Sequence, residues 1–225
     1  MPWAVITFPG SNCDMDCFHA LRDVMGADTR MVWHADALDE SIEGVVLPGG
    51  FSYGDYLRCG AIAKFAPVMK SVRALAEKGR PVIGICNGFQ ILTEAGLLPG
   101  ALLRNEVCEF RCMYTCLKVE RKDTRFTRQC PDIVRVPIAH GEGNYYIDPD
   151  GLRELEDNRQ IVFRYCDGNG AVTPEACPNG ATANIAGVIN KAGNVLGMMP
   201  HPERVVESLI GGEDGKSVLA SMLAA

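Results

Sequence analysis

The chain has 225 residues, 47% hydrophobic and 22% charged, with 22 Lys+Arg against 28 Asp+Glu and a formal net charge of -6. At this length a chain buries roughly 70% of its unfolded surface and builds a core without metal or disulfide staples, which excludes disorder as its main state. The acidic balance excludes a broad basic footprint for nucleic acid; Arg121, Lys122, Arg125 and Arg128 form only a local cluster.

Apolar runs are cut by Pro, Gly or charge well before the roughly 18 residues of a membrane span. Met1 to Gly10, with no basic flank, reads as a strand and not as an export signal. The expected setting is the cytoplasm, away from membranes, with the ten cysteines as reduced thiols. No repeat or linker divides residues 1–225, so one domain is expected.

Short apolar runs alternate with amphipathic stretches through the first half, the pattern of βαβ units around a mostly parallel sheet. Trp3 to Phe8 reads as the first strand. Asp14 to Met25 reads as a helix with Phe18, Leu21 and Met25 on one face and Asn12 as its cap. Val45 to Leu47 is a buried strand entering the turn Pro48-Gly49-Gly50, and a helix from Ala61 to Lys78 follows, interrupted or kinked near Pro67. Pro81 to Cys86 is the next strand, and Asn87 to Ala95 the next helix, closed by Gly96.

Beyond Gly96 the texture changes. Residues 107–120, 132–138, 161–166, 185–189 and 194–199 read as strands, with little helix between them until Lys216 to Ala224, so antiparallel strands should extend the sheet on one side. Residues 167–183, with several Gly, Pro and small polar positions, read as an exposed loop without chemistry. Cys108, Cys112 and Cys116 are spaced by four; on a strand the outer two stand about 26 Å apart, too far to share an ion, and no metal is expected. Gly211 to Ser217 approximates a phosphate-binding loop, but Ile210 occupies its first glycine position and no strand leads into it, so it reads as a helix cap.

The strongest chemical signal is Gly84-Ile85-Cys86-Asn87-Gly88, where a buried strand turns directly into a helix. Gly-x-Cys-x-Gly is the thiol form of a nucleophile elbow: the corner needs small residues two before and two after the nucleophile. It lifts the sulfur to a helix N-terminus, where the partial positive charge favours thiolate. The thiol then needs a base. Of the four histidines, His19 and His34 read as structural, leaving His140 in Ile138-Ala139-His140-Gly141-Glu142-Gly143 and His201 in Met199-Pro200-His201-Pro202-Glu203. His201 is the better base, because in an extended segment Glu203 at i+2 faces the same way and can orient the imidazole. Acyl transfer also needs donors for an oxyanion, and the Gly49-Gly50 turn offers the amides of Gly50 and Phe51 beside that of Asn87.

These positions together resemble the class I, or triad, glutamine amidotransferases. Gly84 to Gln90 is similar to the nucleophile motif of that class, although related members often carry His or Met where Phe89 stands. The block Pro48 to Gly60, His140-Gly141-Glu142-Gly143 and Met198 to Arg204 closely resemble the purine-pathway branch, the glutaminase subunits of phosphoribosylformylglycinamidine synthases. The resemblance spans nearly the whole chain and implies a three-layer α/β, flavodoxin-like fold with a mostly parallel central sheet and added antiparallel strands. It implies hydrolysis of L-glutamine through a Cys86 thioester, with His201 as base and then acid and Glu203 as its orienter. Gln90, His140 and Gly141 would line the glutamine pocket. It further implies a synthetase subunit that uses the ammonia, ATP and Mg to convert formylglycinamide ribonucleotide to formylglycinamidine ribonucleotide, and a small accessory subunit, with no cofactor in this chain. The competing readings are another cysteine hydrolase on the same fold, peptidase or glyoxalase-like, and a non-catalytic binding module.

Overall fold

The strands, in chain order, are β1 (Trp3–Thr7), β2 (Thr29–Trp33), β3 (Gly44–Leu47), β4 (Val82–Ile85), β5 (Ala101–Leu103), β6 (Arg111–Val119), β7 (Ile133–His140), β8 (Asn144–Tyr146), β9 (Ile161–Cys166), β10 (Ile185–Ile189) and β11 (Val195–Met198). The α-helices are α1 (Asp14–His19), α2 (Val68–Glu77), α3 (Asn87–Glu94), α4 (Pro149–Asp157) and α5 (Gly215–Leu223). This computed structural model describes residues 2–224; Met1 and Ala225, the ends of the 1–225 single-domain expectation, lie outside the described residues.

Nine strands form one sheet in the order β2-β1-β3-β4-β11-β10-β9-β6-β7, and β5 and β8 form a separate antiparallel pair. The five strands from β2 to β11 are mutually parallel. Their order is the 2-1-3-4-5 arrangement of flavodoxin-like folds, whose ligand sites lie at strand C-terminal ends. From β11 outward every pairing is antiparallel. β3, β4 and β11 are buried at every position, as strands covered by layers on both faces must be, and so read as continuous apolar runs.

Several expectations change at this level. The helix from Asp14 is regular only to His19 and continues as a π-helical turn, Ala20–Val24, in which Met25 N reaches back to Ala20 O (3.0 Å). Asn12 does not cap it; its Oδ1 accepts from the Cys13 thiol at 3.3 Å. The stretch from Ala61 to Lys78 is broken outright: a 3-10 turn, Ala63–Phe65, is separated from α2 by Ala66 at ψ 142, the extended conformation that a following proline imposes. Pairing of the 107–120 segment begins only at Arg111, which leaves Cys108 in the preceding turn and Cys112 and Cys116 on β6. All ten cysteines are unpaired.

α4 was absent from the sequence expectation because it offers only two apolar residues, Leu152 and Leu155. Its start is nonetheless well specified, with Asp148 accepting from Gly151 N at 2.7 Å and Pro149 in the first turn. The 167–183 segment is less free than its composition indicates. Asn179 is buried and donates to Gly143 O at 2.8 Å, pinning the turn after β7. Gly211 to Ser217 runs into the first turn of α5 but supplies no side-chain cap; the Asp214 carboxylate instead accepts from Arg135 N (2.8 Å).

Candidate active site

β3, β4 and β11 are adjacent and parallel, so the segments leaving them, Pro48 onward, Cys86 onward and Met199 onward, emerge on one edge of the sheet. At the centre, Cys86 has φ 50 and ψ -106 and stands immediately before α3. A non-glycine residue in that region is strained and persists only where its surroundings over-determine it. Here Cys86 N donates to Met198 O (2.8 Å), while Cys86 O accepts from Phe89 N (3.0 Å) and Gln90 N (3.2 Å). The flanking glycines are contact requirements: a Cβ on Gly84 would stand 2.5 Å from Gly88 O, and one on Gly88 only 1.9 Å from Leu47 O. The corner therefore holds the sulfur at the open, positive end of α3.

His201 follows β11. Its amide donates to Pro137 O (2.8 Å), and its Nδ1 lies 2.6 Å from Glu203 Oε1. Both side chains are 98% or more buried, at 2% and 1% relative exposure. The pairing arises through a 3-10 turn, Pro202–Arg204, and not through the extended segment inferred from the i+2 spacing. Burial opposes charging the imidazole, but the Glu203 carboxylate, followed by the Cys86 sulfur, outweighs it and holds His201 well above the usual histidine range. No well-directed hydrogen bond yet joins sulfur and imidazole: the Cys86 thiol is directed at Ala139 O, 3.7 Å away, and His201 Nε2 is buried without a partner. Such slack is ordinary before substrate binds.

One neighbour was not foreseen. Cys13 Sγ lies so that it, a His201 ring nitrogen and a Glu203 oxygen are all within 4.8 Å of one another. Arg204 Nη2 donates to this sulfur at 3.0 Å, so the spacing that would suit a soft cation already holds a guanidinium. Gly49 is glycine for the same reason, since a Cβ there would meet His201 Cε1 at 2.7 Å and Cys13 Sγ at 3.1 Å. Nothing in the chain pattern distinguishes Cys13 from the other nine cysteines; only folding brings it to the imidazole.

The oxyanion expectation needs a correction. The Phe51 amide donates to Gly10 O (2.9 Å), because a bridge between Ser11 and Gly50 ties this turn to the loop after β1. That leaves Gly50, at φ 145 and packed on Ser11 Cα, and Asn87, whose amide is in the unpaired first turn of α3. Gln90 and His140 are buried on the same side. Gln90 Nε2 donates to Glu142 O (2.6 Å), Asn87 Nδ2 to Gln90 Oε1 (3.0 Å), and Gly141 O accepts from Asn105 N (2.9 Å). A cavity of about 720 Å³ beside Leu97, Tyr146 and Leu155 includes none of these residues and is separate from the cysteine.

The two histidines are electrically unlike. Burial, then the nearby His201, lowers His140 to about 4, so it is neutral and cannot serve as a strong base. Its folded value lies below its unfolded value, so the stabilisation is full above the unfolded pKa and is lost as pH falls toward 4; the shift corresponds to about 3 kcal/mol. His201, raised on folding, contributes a slope of opposite sign. Urea unfolding measured between pH 4 and pH 7 should show stability falling with acid, and His140→Asn should flatten most of that fall. An unchanged slope in the variant would remove His140 as its source.

Comparisons with known proteins bear on the family and the fold. Residues 2–212 match the CobB/CobQ-like glutamine amidotransferase domain. The chain is 58% identical to phosphoribosylformylglycinamidine synthase subunit PurQ of Moorella thermoacetica, over 99% of this chain and 95% of that protein. A chain in the structure of PurLQS from Thermotoga maritima superposes with a TM-score of 0.86 at 45% identity, covering 99% of this chain and 97% of that one. A Thermotoga maritima glutamine amidotransferase, 17% identical with a TM-score of 0.64, covering 99% of this chain and 96% of its own, shares the fold. With a cysteine elbow, a buried His-Glu pair and these relatives, the chain belongs to the CobB/CobQ-like glutamine amidotransferase family.

Proposed function

We propose that the chain is the glutaminase subunit of a phosphoribosylformylglycinamidine synthase, hydrolysing L-glutamine to glutamate and ammonia for de novo purine synthesis. The observation that carries this is Cys86, strained at the positive end of α3 beside the buried His201–Glu203 pair. The likeness to PurQ and to the PurLQS chain supports the pathway.

In this mechanism the proton of Cys86 passes to His201, and the sulfur attacks the glutamine carboxamide carbon. The oxyanion that forms is met by the amides of Gly50 and Asn87. When the C–N bond breaks, His201 returns the proton to the leaving nitrogen and ammonia departs, leaving a glutamyl thioester. His201 then takes a proton from water, the resulting hydroxide displaces the sulfur, His201 returns that proton to the Cys86 sulfur, and glutamate is released. Glu203 holds the imidazole in the tautomer that keeps Nε2 free and stabilises its charged form, as the acid of a triad does. His140, held neutral, shapes the pocket and does not compete for the proton.

The ammonia passes to a synthetase subunit, which holds ATP and Mg and converts formylglycinamide ribonucleotide to formylglycinamidine ribonucleotide; a small accessory subunit completes the complex. The assembly works in the cytoplasm, and no helix among the described residues is long and apolar enough to cross a membrane. The test is reconstitution. With synthetase and accessory subunit present, glutamine should drive product formation only when this chain is added, while ammonium salt should drive it without the chain. Hydrolysis of peptides or aldehydes with none of glutamine would overturn the assignment.

A further inference from the structure

The segment Pro48 to Gly60 is longer than a Gly-Gly oxyanion turn requires, and its second half lies on the start of α3. A Cβ on Gly60 would stand 2.8 Å from Gln90 C, so loop and helix meet backbone to backbone. Tyr53, Asp55 and Leu57 all have positive φ. Asn87 Nδ2 faces both Gln90 Oε1 (3.0 Å) and Asp55 Oδ1 (3.5 Å), and the Gln90 bond to Glu142 O brings the turn after β7 to the same spot. Cys59 lies beside both the Asp55 and Glu142 carboxylates, and burial is the first of the causes that push its thiol up. The Ser52 side chain is 2% exposed, its Oγ has no partner, and its amide donates to Asn87 Oδ1 (3.2 Å).

This recess holds two partly buried carboxylates without a counter-charge. The nearby cations Arg58 and Lys64 are committed to Glu94, and no Lys, Arg or His pairs with Asp55 or Glu142 among the described residues. Burial, with the Glu142 charge behind it, pushes the Asp55 carboxyl up. A cation delivered by the substrate would relieve both costs. The only three-residue His/Cys/Asp/Glu group close enough to chelate an ion among the described residues is Cys13, His201 and Glu203, so Asp55, Cys59 and Glu142 are too widely spaced for one metal. An ammonium, making N–H···O bonds of about 2.8 Å to each side, spans up to about 5.6 Å.

The reach also fits. Gln90 lies one helical turn, about 6 Å, beyond Cys86, and in extended glutamine the α-nitrogen lies roughly 5 Å from the carboxamide carbon.

We propose that Asp55 and Glu142 recognise the α-ammonium of the substrate amino acid and so select free glutamine over other carboxamides. This rests on the glutaminase reading above.

The test uses the assembled complex, with L-glutamine as substrate and glutaramate, which is glutamine without its α-amino group, as competitive inhibitor. Asp55→Asn and Glu142→Gln should each lower kcat/KM for glutamine roughly tenfold to a hundredfold, mostly through KM. The glutaramate Ki should stay within about twofold, because the inhibitor has no ammonium to lose. Co-elution of each variant with the synthetase and accessory subunit at the wild-type stoichiometry in size-exclusion chromatography shows that they fold and assemble. Parallel weakening of glutamine and glutaramate, or no effect on glutamine, overturns the assignment while leaving the glutaminase reading intact. A wild-type complex that does not hydrolyse glutamine overturns both.

Discussion

Cys86→Ala in the assembled complex should lower glutamine-dependent synthesis by roughly 10⁴-fold or more, because the covalent route through a thioester has no substitute nucleophile. Cys13 is the nearest alternative sulfur, but it is buried under the Arg204 guanidinium and lies off the elbow. Synthesis from added ammonium salt should keep nearly its full rate, since Ala fits the Cys86 corner sterically and the synthetase does its own chemistry. The backbone bonds that hold the corner, from Cys86 N to Met198 O and to Cys86 O from Phe89 and Gln90, do not involve the sulfur. Parallel initial-rate assays with the two nitrogen sources decide it. Joint loss of both activities would mean that glutamine hydrolysis and synthesis are not divided between this chain and the synthetase.

Gly88→Ala should be the most damaging single methyl group in the chain's centre, with an expected loss of roughly 4 kcal/mol or more in unfolding free energy. The added carbon would stand 1.9 Å from Leu47 O and 2.7 Å from Leu47 C. Both are backbone atoms of buried β3, so no side chain can rotate aside, and either α3 or the strand must move. Moving α3 also displaces Asn87 and the Cys86 corner, so thiol reactivity toward a glutamine-analogue electrophile should fall with stability. Gly168→Ala is the control: it meets nothing within 4 Å and lacks a positive φ, and should stay within about 0.5 kcal/mol of wild type in urea. A Gly88→Ala loss below about 1 kcal/mol would show that helix and strand are not in the close contact described.

The parts legible in the chain were those with a short-range cause. Buried parallel strands declare themselves as uninterrupted apolar runs, and β1, β3, β4, β9, β10 and β11 all fall within or close to the predicted spans. The elbow was legible because its steric demand falls on Gly84 and Gly88, each two positions from the cysteine. His201 and Glu203 were also legible as a pair, although through the wrong geometry: spacing put them on one side of an extended segment, whereas Pro202–Arg204 is a tight turn. α4 had a readable cap in Asp148-Pro149, but too few apolar residues to outweigh the strand texture around it.

What remained hidden depends on contacts between distant segments. Whether the Phe51 amide is free depends on Gly10, forty-one positions earlier, and no local rule assigns that partner. The same holds for Cys13 beside His201, for Asn179 under Gly143, and for Asp55 and Cys59 against Glu142. The sequence by itself determined the α/β class, the strained cysteine corner and the family, because hydrophobic period, glycine spacing and contiguous motifs act within a few residues. Only the tertiary structure decided which amides, carboxylates and sulfurs share the pocket, because burial removes water as a partner and the chain's neighbours in space take its place.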